Sequence, residues 1–98
     1  MNAGEVVVFV QLRIQPQHRE EFLETLSEII ERSRIAPGCL SYELFNRADD
    51  ENRLVLFQTW STREAFETNW LYIDLPRLNT NAHLLATAIE SQELHLLL

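Results

Sequence analysis

Few side chains here can move a proton near neutral pH. They are His18, His83 and His95, with Cys39 as the single thiol. All eight basic residues are arginine, which excludes a lysine Schiff base. The two glycines, Gly4 and Gly38, cannot make a G-x-G-x-x-G loop, so no flavin or nicotinamide cofactor is expected. Glu20, Glu21, Glu24, Glu28 and Glu31 are dense enough to suggest a metal site. No histidine shares their stripe, so they read as the solvated face of a helix, and no metal is expected. Cys39 begins a strand and reads as a small buried hydrophobe. The groups left are mostly anchors: Tyr72, Arg77, Asn79 and Asn81 crowd the segment after Trp70. Arg77 could pair with an anionic substrate oxygen, with Asp74 or with a partner's acid. His18 opens an exposed helix and His95 sits in the last strand, which leaves His83 as the candidate proton acceptor.

Ninety-eight residues provide for one domain, residues 1–98, around one core. A hydrophobic content of 46% with few Gly and Pro suits a globular chain. The net charge of −7 argues against nucleic acid and anionic membranes as partners. One cysteine fits a reducing interior, and MNAGEVVV lacks the charged flank of a signal peptide. No apolar run reaches the roughly 20 residues of a membrane span. A cytoplasmic location is therefore expected.

The positioning elements follow from periodicity. Glu5 to Ile14 reads as a strand with Val6, Val8, Val10, Leu12 and Ile14 on one face, and Val7, Phe9, Gln11 and Arg13 on the other. Gln17 to Arg34 reads as a helix whose stripe is Phe22, Leu26, Ile29, Ile30 and Ser33, ended by Pro37-Gly38. Cys39 to Arg47 is a second strand with Leu40, Tyr42 and Leu44 on one face. After the polar loop 48–52, Arg53 to Trp60 is a third, with Leu54, Leu56 and Trp60 on one side and Val55, Phe57 and Thr59 on the other. Ser61 or Thr62 caps a short helix to about Trp70, and Glu64 suits a capping box if Ser61 is the cap. Leu71 to Pro76 reads as a break, Arg77 to Ile89 as a further helix, and Glu90 to Leu98 as a last strand with Leu94, Leu96 and Leu98 on one face.

That order, β-α-β-β-α-β with a split second helix, is an α+β ferredoxin-like unit. Helices on one side of the sheet leave Val7, Phe9, Val55 and Phe57 in water on the other. A homodimer packed sheet to sheet would cover them.

The run PGCLSYELF, a polar turn, then RLVLFQTWSTREAF, resembles the antibiotic biosynthesis monooxygenase family over nearly the whole chain, weakening after Asn69. The resemblance implies a dimeric α+β barrel and a cofactor-independent monooxygenase acting on a small aromatic molecule of the quinol, anthrone or polyketide type. Trp60 matches the tryptophan that ends the family's third strand and lines its pocket. An asparagine four residues before it and a tyrosine six residues after it help hold substrate in the oxidising members, and here these positions are Leu56 and Phe66. Asn69 stands where many members carry a histidine in E-A-x-x-x-H, including an isomerase, which weakens an enol-type isomerase here. The haem-degrading branch would need an Asn, a Trp and a His at Val10, Asn69 and Asn79, and Trp70 is one residue off, so haem ligation is not expected. The expected site is thus His83 and Asn69 for catalysis, with Trp60, Phe66, Leu56, Tyr72, Arg77 and Trp70 around the substrate. A non-catalytic small-molecule-binding or signalling domain of the same fold is the alternative.

Overall fold

In the computed structural model, which describes residues 5–95, four antiparallel strands form one sheet in the order β2-β3-β1-β4. The strands are β1 (Val6–Arg13), β2 (Cys39–Arg47), β3 (Asp50–Trp60) and β4 (Glu90–Leu94). The helices are α1 (Arg19–Arg34), α2 (Arg63–Asn69) and α3 (Leu75–Thr80). This is the ferredoxin-like α+β arrangement, with both crossovers on one face of the sheet.

β1 lies in the interior of the sheet, paired with β3 from Val6↔Trp60 to Arg13↔Arg53 and with β4 from Val7↔Leu94 to Gln11↔Glu90. Its residues Val6, Val8, Val10 and Leu12 meet the α1 stripe Phe22, Leu26, Ile29 and Ile30, and all are buried. Burying each such side chain contributes about 1.5–3 kcal/mol. Ser33 continues the stripe and is also buried, so a hydroxyl enters the core and requires a partner there.

β2 departs from simple alternation. Cys39 faces Trp60 while Ser41 faces Thr59, so two residues of β2 oppose one of β3. The extra residue is Leu40, which is exposed, whereas Tyr42 is buried. The expectation that the two share a face fails at this bulge. β3 starts at Asp50 rather than Arg53, because the turn is tightened to Ala48 and Asp49. Arg47 forks onto the Asp49 carboxylate at 2.9 and 2.7 Å across it.

Thr62, not Ser61, caps α2: its Oγ1 accepts from the Ala65 N–H at 3.1 Å. Glu64 is therefore no capping-box acid. The expected break at 71–76 is absent. Trp70–Asp74 instead form a π-helical turn that joins α2 to α3, with the Leu75 N–H bonded to the Trp70 carbonyl. Such a widened turn accommodates Pro76, whose ring would press on the carbonyl four residues back in a regular helix.

The expected helix from Arg77 to Ile89 ends at Thr80. Thr80 Oγ1 and Asn81 Nδ2 bond back to the carbonyls of Pro76 and Arg77, competing with the helical ladder. A 3₁₀ turn, Ala82–Leu84, follows, and the chain then extends. Gln15 Nε2 holds this stretch by donating to the carbonyls of His83 and Leu85, each at 3.1 Å. β4 was expected to run to Leu98. Leu96, Leu97 and Leu98 lie outside the described residues.

The sheet face away from the helices carries Phe9, Val55 and Phe57, all half-buried, with Phe45 and Leu94 exposed beside them; Val7, expected in water on this face, is buried. Phe9 and Phe57 are register partners with ring centroids 5.0 Å apart. Among the described residues no helix is long and apolar enough to cross a membrane.

Candidate functional site

Two of the expected pocket residues, Trp60 and Leu56, belong to the core between sheet and helices. Both are 0% exposed and line none of the cavities described below. Trp60 Nε1 donates to Gln58 Oε1 at 2.9 Å, which satisfies the indole inside the core. Phe66 tilts against Trp70 with centroids 6.3 Å apart.

Two larger cavities lie along the helix that contains the π turn, apart from one of about 240 Å³ among Gln11, Arg13, Arg47 and Arg53. Trp70 lines a cavity of about 610 Å³ with Leu75, Asn79, Leu85 and Ile89. Asn69, Tyr72 and Ile73 line another, of about 420 Å³ and open to solvent, with Ala36, Pro37 and Ala65. Its walls are mostly apolar, and Glu64 is its one carboxylate. Tyr72, 73% exposed, is the aromatic residue of this lining.

Behind Asn69 sits a buried polar cluster drawn from three elements. Asp74 accepts from Tyr42 Oη of β2 at 2.8 Å, from Ser33 Oγ of α1 at 3.2 Å and from Asn69 Nδ2 of α2 at 3.2 Å. Asn69 Nδ2 also donates to Ser33 Oγ at 3.0 Å. Burial pushes the Asp74 carboxyl up to about 6, against the opposing hydrogen bonds from Tyr42, Ser33 and Asn69 and the Arg77 charge. Burial and the Asp74 charge raise the Tyr42 phenol far above its ordinary value, so it stays a donor. Asn69 is 3% exposed, and its Oδ1 has no partner. A buried acceptor left this way costs about 1–3 kcal/mol.

The remaining predicted residues lie elsewhere. Arg77 Nε reaches Glu28 Oε1 at 3.2 Å and Nη1 donates to the Ile73 carbonyl at 3.0 Å. It acts on Asp74 only through its charge. His83 is exposed in the 3₁₀ turn and lines neither cavity. The structure therefore brings Asn69 and Tyr72 together, places Trp70 and Phe66 on another side, and sets Trp60, Leu56, Arg77 and His83 apart. Asp74, Tyr42 and Ser33 were not anticipated as a unit. Ser33 in an otherwise apolar stripe was the available signal, because a buried hydroxyl implies a buried partner. No group of three or more His, Cys, Asp or Glu among the described residues is placed to hold a metal ion.

Comparison with known proteins agrees with this fold. The sequence profile of the family described as Antibiotic biosynthesis monooxygenase matches residues 5–70. The chain is 32% identical over 62 residues to "Uncharacterized protein sll1783" of Synechocystis sp., covering 63% of this chain and 42% of that one. It is 29% identical over 62 residues to "Putative monooxygenase YcnE" of Bacillus subtilis strain 168, covering 63% of this chain and 65% of that one. Each match spans less than two thirds of the relative's length. Among solved structures, "Putative antibiotic biosynthesis monooxygenase from Nitrosomonas europaea" superposes with a TM-score of 0.89 at 22% identity, covering 99% of this chain and 94% of that one. At that identity the likeness is one of fold.

Proposed function

Because the chain belongs to the antibiotic biosynthesis monooxygenase family, we propose that it oxygenates a small phenolic, quinol or anthrone-like aromatic in the Asn69 cavity, without a cofactor. The observation that carries this reading is a mostly apolar cavity of about 420 Å³ with one carboxylate, Glu64, and the aromatic Tyr72 among its lining residues. Tyr72, Pro37 and Ile73 offer apolar contact to the ring, and Thr62 and Thr68 are the hydroxyl-bearing residues of the same lining.

The chemistry follows from such a substrate. Loss of a proton from an anthrone-like CH₂ or its enol gives a stabilised carbanion. Its carbon attacks O₂ to form a hydroperoxide. Loss of water, with the second C–H proton, leaves a carbonyl. One oxygen atom ends in the product and one in water, so no external reductant is needed. Glu64, the carboxylate on the cavity wall, takes the first proton in this reading, because His83 lies outside the cavity. The test is oxygen uptake with a panel of quinols and anthrones free of flavin and metal. Uptake of one O₂ per substrate is expected; no uptake with any member overturns the reading.

A second reading is favoured by the sealing of Leu56 and Trp60 in the core, which takes two of the three positions that the family resemblance put at the pocket out of a ligand's reach. The cavity then serves a non-catalytic binding domain. Ligand-dependent quenching of Trp70 without turnover separates it from the first.

We also propose that two copies pack through Phe9, Val55 and Phe57, since a contiguous apolar face on a single sheet otherwise stays in water.

A further inference from the structure

Positive charge is gathered at one end of the sheet. Three of the chain's eight arginines, Arg13, Arg47 and Arg53, line a single cavity of about 240 Å³. Arg13 and Arg53 are register partners in the antiparallel pairing of β1 with β3, so their side chains leave the same face. Like charges set directly opposite in this way repel. Two of the three guanidinium groups have an acid: Arg47 forks onto Asp49, and Arg53 Nε lies 3.3 Å from Asp50 Oδ2. Arg13 has no ion-pair partner among the described residues. Arg13, Arg47 and Gln11 are exposed, so a solute reaches the lining directly. Gln11 and Thr87 add neutral polar groups, and Glu90 is the one carboxylate of the lining.

We propose that this cavity is a binding site for a phosphate group, held by Arg13 and Arg53 from adjacent strands, with Arg47 adding a third positive charge from β2. A guanidinium presents a fork of N–H donors that matches a phosphate two oxygens at a time. A doubly charged anion between Arg13 and Arg53 turns their repulsion into a bridge. The Gln11 amide and Thr87 hydroxyl can complete its hydrogen bonds. The volume is below the roughly 300 Å³ at which sites for drug-sized ligands begin, so the ligand is phosphate itself or a small phosphate ester. Glu90 opposes the anion and lowers its affinity. The site shares no lining residue with the Asn69 cavity, so it stands whether or not that cavity oxygenates a substrate.

Calorimetric titration of the whole protein with inorganic phosphate, glycerol 3-phosphate and acetate at constant ionic strength tests it. One of the two phosphates should bind at least about tenfold tighter than singly charged acetate, and the tighter of them identifies the source as the free ion or an ester. Arg13→Gln and Arg53→Gln should each weaken that phosphate at least about tenfold, the loss of one charge-assisted contact. Arg13→Lys keeps the charge without the fork and should restore only part of the loss. Glu90→Gln should tighten binding. Arg32→Gln removes an arginine of α1 that pairs with Glu28, and should leave binding unchanged. Without ligand, Arg13→Gln should melt no lower than the wild type, since it relieves the repulsion with Arg53, and phosphate should raise the melting temperature of the wild type alone. Binding no tighter than acetate overturns the inference, as does an equal loss in Arg32→Gln, which would mean that net charge alone draws the anion. If the wild type ignores phosphate and Arg13→Gln falls in mass, the arginines meet an acid of a second copy instead, and the inference is overturned as well.

Discussion

Asn69 and Asp74 are five residues apart on one helical run, yet Nδ2 of the first lies 3.2 Å from Oδ1 of the second. In a regular α-helix such residues diverge by about 140° around the axis. The π turn at Trp70–Asp74 removes that divergence and turns both side chains toward Ser33 and Tyr42. A local widening of the backbone thus creates the polar floor behind the Asn69 cavity. Single π turns of this kind recur where side chains must be re-aimed.

The Asp74 carboxyl makes stability depend on pH in a definite sense. Its value is raised from 3.8 to about 6 in the folded chain, mainly by burial, so the native state holds the proton more tightly than the unfolded one. The contribution is complete below the unfolded value and is lost as pH rises through about 6. Two units correspond to about 3 kcal/mol. Arg77, Tyr42 and Cys39 are the other titratable groups facing it. Tyr42 and Cys39 are both raised by burial and stay neutral between pH 4 and 7. Urea unfolding at pH 4, 5, 6 and 7 should show the wild type losing ground to Asp74→Asn across this range and levelling above it. A pH-independent difference would mean that Asp74 titrates normally.

Gly38 is required by both conformation and space. Its φ is +85°, and a Cβ there would lie 2.6 Å from Ala65 Cβ and 2.9 Å from Ser61 Oγ. The strained backbone and the contact together should cost Gly38→Ala about 3 kcal/mol. Denaturant unfolding measures this, and a loss below about 1 kcal/mol would show that α2 can shift away. The effect would also reach the cavity, because Ala36, Pro37 and Ala65 wall it.

Much of this architecture was legible in the sequence, and the reasons for the exceptions are local. The alternation of Val6, Val8, Val10 and Leu12 and the α1 stripe were read correctly, because burial on one face leaves a period that survives in one dimension. Leu40 was misassigned because a bulge shifts the register without leaving a period of its own. The break at 71–76 was read from Pro76, but the π turn absorbs the proline inside a continuous helix. Helix 77–89 failed for the opposite reason: Thr80 and Asn81 turn their polar ends back on the preceding carbonyls. Asn69 could be singled out on its own. Its partners Ser33, Tyr42 and Asp74 could not, since their proximity exists only once α1, β2 and the π turn are packed together.

Phe57 tests the assembly. Phe57→Arg places a charge in the middle of the apolar sheet face, beside Phe9. If two copies join there, the variant should elute as a monomer in light-scattering chromatography while keeping its circular dichroism spectrum. Leu71→Arg, also at an exposed apolar position but on the helical side, should leave the assembly unchanged. A Phe57→Arg protein that retains the wild-type mass would mean that this face is not the interface.

Glu64 separates binding from chemistry in the same cavity as Asn69. Both residues are part of the cavity lining, and Glu64 is the carboxylate proposed to take the proton. Glu64→Gln keeps the size and polarity of the side chain but removes its ability to accept a proton at neutral pH. For a substrate that is oxygenated, kcat should fall about 100-fold, the lower end of what a positioned base contributes, with KM nearly unchanged. Tyr72→Ala should do the reverse, raising KM more than it lowers kcat, because it removes apolar contact present in both ground and transition states. If Glu64→Gln turns over at the wild-type rate, the proton goes directly to solvent. The enzyme's role then reduces to orienting the aromatic ring and excluding water from the carbanion.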